Sequence, residues 1–166
     1  MATHVAYLSG YWVIITCTPS YLNNLLDIGI EWNGLISAAP HLSMGLCSLF
    51  FGWLGDVVGT REMLSLSLNR KLFNTIGEWG PGLLCVLIGA FGANYPILAV
   101  SLLVVACGLI SATFSGEFVN FVDIAPNFSG ITFGIANTVG AFVSAFAPYL
   151  EGVLVDPAVV ARPNTF

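Results

Sequence analysis

The chain has 166 residues, of which 57% are hydrophobic and 8% charged, and its mean hydropathy is +0.88. Four Lys and Arg against nine Asp and Glu give a formal net charge of −5, so the clustered cations that nucleic-acid binding requires are missing. A water-soluble domain would need far more polar chain than this to cover its apolar segments, and what remains is a protein whose solvent is lipid.

Five apolar stretches of bilayer length follow one another, at residues 2–22, 33–55, 72–93, 96–120 and 129–150. A spanning helix needs roughly 20 residues at about 1.5 Å each. The first stretch carries Tyr7 and Tyr11 one helical turn apart and ends near Pro19. The second holds Pro40 followed by His41. A polar interval, 56–71, contains Asp56, Arg61, Arg70 and Lys71, with room for a short amphipathic surface helix at 63–68, so the second and third spans are not expected to meet through a tight turn. The third stretch contains Glu78 and Pro81 and ends in a short turn at Asn94 and Tyr95. The fourth contains Glu117 and leads into a loop at 121–127. The fifth carries Gly130, Gly134 and Gly140 beside Ala136, Ala141 and Ala145, with Asn137 in its middle and Pro148 near its end. Small residues of this kind allow helices in lipid to approach closely. The tail 153–166, interrupted by Pro157 and Pro163, is too short to span.

Three of the four cations lie in the interval 56–71, which the positive-inside bias assigns to the cytoplasm. The loop around Asp27 and Glu31 and the turn at Asn94 then face the other side, and the loop 121–127 returns to the cytoplasm. An odd number of spans starts the chain inside and ends it outside.

The four cysteines fall in four different spans without metal-ligand spacing and read as packing residues. The sequon at Asn127 lies on the cytoplasmic face and should stay unmodified, and the chain start lacks the features of a cleaved signal peptide. No catalytic constellation is present: the two histidines are isolated and there are no paired carboxylates at active-site spacing, so neither an enzyme, a metal site nor a bound cofactor is expected. Glu117 and Glu78 stand out because a carboxylate within a span is costly and points to function. Glu117 lies close enough to the helix end to reach the interface and is the candidate for ion coupling.

The run NFVDIAPNFSGITFGIANTVG from Asn120 closely resembles the cytoplasmic loop and eleventh helix of the anion:cation symporters of the major facilitator superfamily, a family that holds sodium-phosphate cotransporters, sialin and the vesicular glutamate transporters. GLISAAPHLSM from Gly34, GWLGD from Gly52 and RKLFNTIG from Arg70 fit in the same order. The resemblance covers nearly the whole chain and leans toward the inorganic phosphate cotransporters. It implies an all-α membrane fold of five transmembrane helices, corresponding to helices seven to eleven of a twelve-helix transporter, with residues 1–152 as a truncated C-terminal lobe. It implies secondary transport of inorganic phosphate or an organic anion driven by Na⁺ or H⁺, a plasma-membrane or endolysosomal/vesicular location, and an N-terminal lobe as partner. The alternative is a transport-inactive membrane protein that only packs with other helices. Substrate-pathway candidates are Tyr7, Tyr11, His41 and Asn137. GWLGDVVGTR resembles the superfamily's cytoplasmic loop signature, whose acid corresponds to Asp56. An anion at the C-terminal end of its own helix is misplaced on the dipole, so Asp56 is expected to latch onto Arg61 or onto the backbone N–H groups of 129–131.

Overall fold

The computed structural model describes residues 2–26 and 30–154, with side-chain surroundings for 2–23, 34–150 and 152. The described residues form helices and turns, with no strand among them. Lipid offers no partner to exposed backbone N–H and C=O groups, and helices satisfy them internally. The elements are α1 (Ala2–Leu26), α2 (Ile30–Thr60), α3 (Leu66–Phe91), α4 (Pro96–Ile110), a π-helical segment (Phe114–Phe118), α5 (Val119–Ile124), α6 (Ser129–Ser144) and α7 (Phe146–Leu154). Among the described residues four units are long and apolar enough to cross a membrane: Gly34–Thr60, Leu66–Phe91, Pro96–Ile124 and Ser129–Leu150. The first helix is long enough at 25 residues, but its His, Thr, Ser and Tyr side chains dilute its apolar character.

The helices overrun the expected boundaries where nothing stops them. Helix α2 continues through Asp56 to Thr60 and α3 begins at Leu66, so the two are joined by residues 61–65 alone. The sixteen-residue connection and its surface helix at 63–68 are therefore corrected to a tight turn. Glu62 takes a left-handed φ of 51° there, and the Ser65 hydroxyl accepts from the Leu68 N–H at 3.4 Å, capping α3. The loop placed at 121–127 is helical as far as Ile124, and Glu31 belongs to α2 rather than to a loop. Asp27 and the tail from residue 155 lie outside the described residues. The fifth span breaks at Ala145, between α6 and α7. Pro148 has no N–H to give the Ser144 carbonyl, which accounts for the break.

The fourth unit is central. Half of its apolar window is buried inside the protein, against 11–17% for the other three. Helices α2 and α3 pack on α4, while α1 packs on α6 and α7. Phe51, Phe73 and Ala112 form a core where α2, α3 and the fourth unit meet. The helices approach through glycine: a Cβ at Gly77 would lie 2.5 Å from Thr113 Cγ2 and 2.8 Å from its backbone N. Of the small flank on the fifth span, only Gly140 works in this way. A Cβ there would meet Leu8 Cδ1 at 2.6 Å, whereas Gly130 and Gly134 have open space around them.

Gly77→Ala should accordingly lower stability by about 1–3 kcal/mol through overpacking, and Gly134→Ala should change it by less than about 0.5 kcal/mol. Thermal unfolding of the two variants in detergent, followed by tryptophan fluorescence, checks the contrast.

Candidate functional site

The run Ser111–Gly116 places three hydroxyls and a glycine at the end of α4. Ser111 Oγ donates to the Gly108 carbonyl at 2.6 Å and Thr113 Oγ1 to that of Ile110 at 2.7 Å, drawing off acceptors that the helix ladder would use. Ser115 Oγ reaches across to the Phe51 carbonyl of α2 at 2.8 Å. The helix ladder loosens here into the π turn of Phe114–Phe118, the type of irregularity often found at functional sites. Within this turn Glu117 is only 7% exposed. The expectation that it reaches the interface is thus corrected.

Its neighbour comes from the first turn of α1. His4 is fully buried, and its Nδ1 stands 3.0 Å from Glu117 Oε1. The contact has ion-pair distance without an aligned hydrogen bond. Around the imidazole, the rings of Phe118, Phe121 and Phe133 stand edge-on at 5.7, 5.6 and 5.7 Å, and Tyr7 stacks at 6.1 Å. Asn137 approaches the same ring from α6. These rings help to shut the imidazole off from solvent.

Two cavities lie nearby, one beyond Tyr7 and one lined by Glu117 itself. One, of about 290 Å³, lies between α1, α3 and α4 and is lined by Tyr7, Tyr11, Glu78 and Cys85 among apolar residues. Tyr7 and Tyr11 stack at 5.8 Å, and Glu78 Oε1 accepts from Asn74 Nδ2 at 3.3 Å. The other cavity, of about 370 Å³, is lined by Glu117, Thr3, Arg70, Lys71, Asn74 and Asp123.

Arg70 ties the wall of this second cavity together. Its Nε donates to Asp123 Oδ2 at 2.7 Å and its Nη1 to the Ser115 carbonyl at 2.9 Å. The two side chains are 17% and 22% exposed. The expected latch has different geometry: Asp56 and Arg61 are both exposed, and among the described residues the Asp56 carboxylate makes no hydrogen bond or ion pair. Helix α2 runs on past Asp56, so the carboxylate projects from a continuing helix.

Of the substrate-pathway candidates, Tyr7 and Tyr11 share a cavity, Asn137 is drawn to His4, and His41 lies outside that cavity with its Nδ1 3.1 Å from the Ser37 carbonyl of its own helix. His4 is the residue that sequence reasoning passed over as isolated. Its signal was positional, since the first turn of the first helix and the last turns of the fourth span lie at the same membrane face.

No protein-family model matches the chain. It is homologous over nearly its whole length to curated transporters. A Drosophila ananassae protein named for inorganic phosphate cotransport is 31% identical over 93% of the chain and 32% of its own length. Sialin of Ovis aries is 32% identical over 99% and 33%, and sodium-dependent phosphate transport protein 1 of Mus musculus is 26% identical over 91% and 32%. The chain spans about a third of the length of the curated relatives it matches. The resemblance drawn from the four motifs is borne out, and the relatives are transporters rather than enzymes.

Because Arg70 and Asp123 share a partly dry contact while Asp56 is solvated, Asp123→Asn should cost about 1–3 kcal/mol of stability and Asp56→Asn less than about 0.5 kcal/mol. Chemical denaturation of the detergent-solubilised variants measures both.

Proposed function

We propose that this chain, a member of the phosphate and anion cotransporter family, contributes to secondary active transport of inorganic phosphate or a small organic anion, driven by Na⁺ or H⁺. The observation that carries the reading is the near full-length similarity to transporters named for phosphate and to sialin. The cavity beside α1 supports it. It places two stacked tyrosines and Glu78 within an otherwise apolar wall, the arrangement of a ligand site in which a few polar groups fix orientation. Among the described residues no Lys or Arg lines that cavity, so the charge of an anion there would be met by groups outside them, in keeping with relatives about three times as long. The membrane concerned is the plasma membrane or an endolysosomal or vesicular one.

The length relation also favours a second reading, in which the chain is transport-inactive and only packs with other membrane helices. Uptake of radiolabelled phosphate into liposomes containing the purified chain, with a Na⁺ or proton gradient imposed, separates the two. Gradient-dependent uptake above protein-free liposomes supports transport by the chain alone, and baseline uptake with intact helical circular dichroism supports the second reading. If uptake is seen, Tyr11→Phe should raise the KM for phosphate about fivefold, the worth of one hydrogen bond of ~1 kcal/mol, with kcat little changed.

A further inference from the structure

We propose that His4 and Glu117 form a site for one exchangeable proton, in contact with the cavity beside Arg70, and that this proton is the coupling ion; the last clause rests on the transport reading above. Glu117 is 7% exposed, His4 is fully buried, and their facing atoms are 3.0 Å apart. With the proton bound, the pair is neutral overall, as imidazolium beside carboxylate or imidazole beside carboxylic acid. Without it, the pair is imidazole beside a bare carboxylate. Binding takes one proton from water and makes one N–H or O–H bond, and release returns it, with no other reactant needed. Imidazole is the side chain suited to such exchange near neutral pH.

The donor set selects a proton over Na⁺. A hard cation takes a shell of oxygens, whereas the neighbour of Glu117 is an imidazole, itself surrounded by the rings of Phe118, Phe121, Phe133 and Tyr7. Among the described residues no group of three or more His, Cys, Asp and Glu could hold a metal ion.

Access is from the side of Glu117, and a second cavity lies beyond Tyr7. Glu117 lines the cavity that also holds Arg70, Lys71 and Asp123, and Tyr7, stacked on His4, lines the cavity that holds Glu78. The groups facing the pair are therefore Tyr7 on α1, Glu78, Arg70 and Lys71 on α3, Asp123 on α5 and Asn137 on α6. Arg70 is already engaged by Asp123, which leaves Glu117 dependent on His4. A deprotonated, singly negative pair is costly while buried and cheaper when a cavity admits water to it, so release of the proton is linked to the conformation that hydrates the site.

Infrared difference spectroscopy of the full chain in phosphatidylcholine liposomes, stepped in pH, tests the site without requiring transport. The expected result is a protonated-carboxyl band that vanishes in Glu117→Gln, persists in Glu78→Gln and shifts its midpoint in His4→Gln, with helical circular dichroism retained. A carboxyl band unaffected by Glu117→Gln, or a midpoint unmoved by His4→Gln, overturns the site. For the coupling, liposomes are assayed for proton-driven phosphate accumulation and for phosphate exchange at equal pH. Glu117→Gln should lose accumulation and keep exchange, and undiminished accumulation overturns the coupling role. If the unaltered chain moves no phosphate in either assay, transport by this chain falls and the coupling clause with it, while the infrared titration still decides the proton site. Should Glu117→Gln fail to fold, Glu117→Asp replaces it, with a displaced band as the expected result and an unmoved band as the refutation.

Discussion

Close approach of helices onto the fourth unit is the constraint from which the rest of the bundle follows. In lipid, covering a leucine with another leucine gains little over covering it with an acyl chain, so packing density and interhelical hydrogen bonds have to hold the helices together. The fourth unit meets this need with a run of small side chains. Thr113 seats against Gly77, Ser115 donates to the Phe51 carbonyl, and Gly116 lies so near α3 that a Cβ there would stand 2.8 Å from the Asn74 backbone N. Helices α2 and α3 are thereby both fixed on a unit that is half buried.

The same residues that make the approach possible also loosen the helix. Hydroxyls at Ser111 and Thr113 bond back to carbonyls three residues earlier, and the following turn widens into the π segment. This is where Glu117 enters the interior. A carboxylate there costs several kcal/mol unless a partner or a proton offsets its charge, and His4 stands at the right distance to be that partner. The aromatic rings around His4 exclude water from one side of the pair, while the cavity beside Arg70 reaches Glu117 from the other.

Arg70 links this interior site to the bundle end. One side of its guanidinium holds Asp123, and the other holds the carbonyl of Ser115, two residues before Glu117. A movement that parts α3 from α5 would pull on the π segment directly. Coupling of this kind needs no long path, because the two groups that Arg70 holds, Ser115 and Asp123, flank the buried carboxylate on one irregular helix.

Much of the fold was legible from hydropathy alone. Segments of bilayer length can satisfy their backbone only as helices, so helix order and the turn at Asn94 could be read in advance, and four ordered motifs pointed to the transporters the chain is similar to. Helix ends were less legible. Residues 56–60 and 121–124 are polar enough to suggest loops, yet a helix emerging into water keeps its own hydrogen bonds and continues until a turn such as that at Glu62 ends it. The site was legible one residue at a time, in Glu117 as a charge within a span and in Tyr7 and Tyr11 as polar groups one turn apart. Their grouping was not, because which side chains face one another depends on how the helices rotate about their axes, and that rotation is set by tertiary contacts: Gly140 against Leu8 turns His4 inward, and the π segment turns Glu117 toward it. Sequence by itself determined the membrane, the helices and the likeness to transporters; the tertiary structure decided that Arg70 rather than Asp56 carries the charge contact, and that a histidine and a glutamate 113 residues apart meet at 3.0 Å, since pairing across a bundle follows from packing geometry that no local pattern encodes.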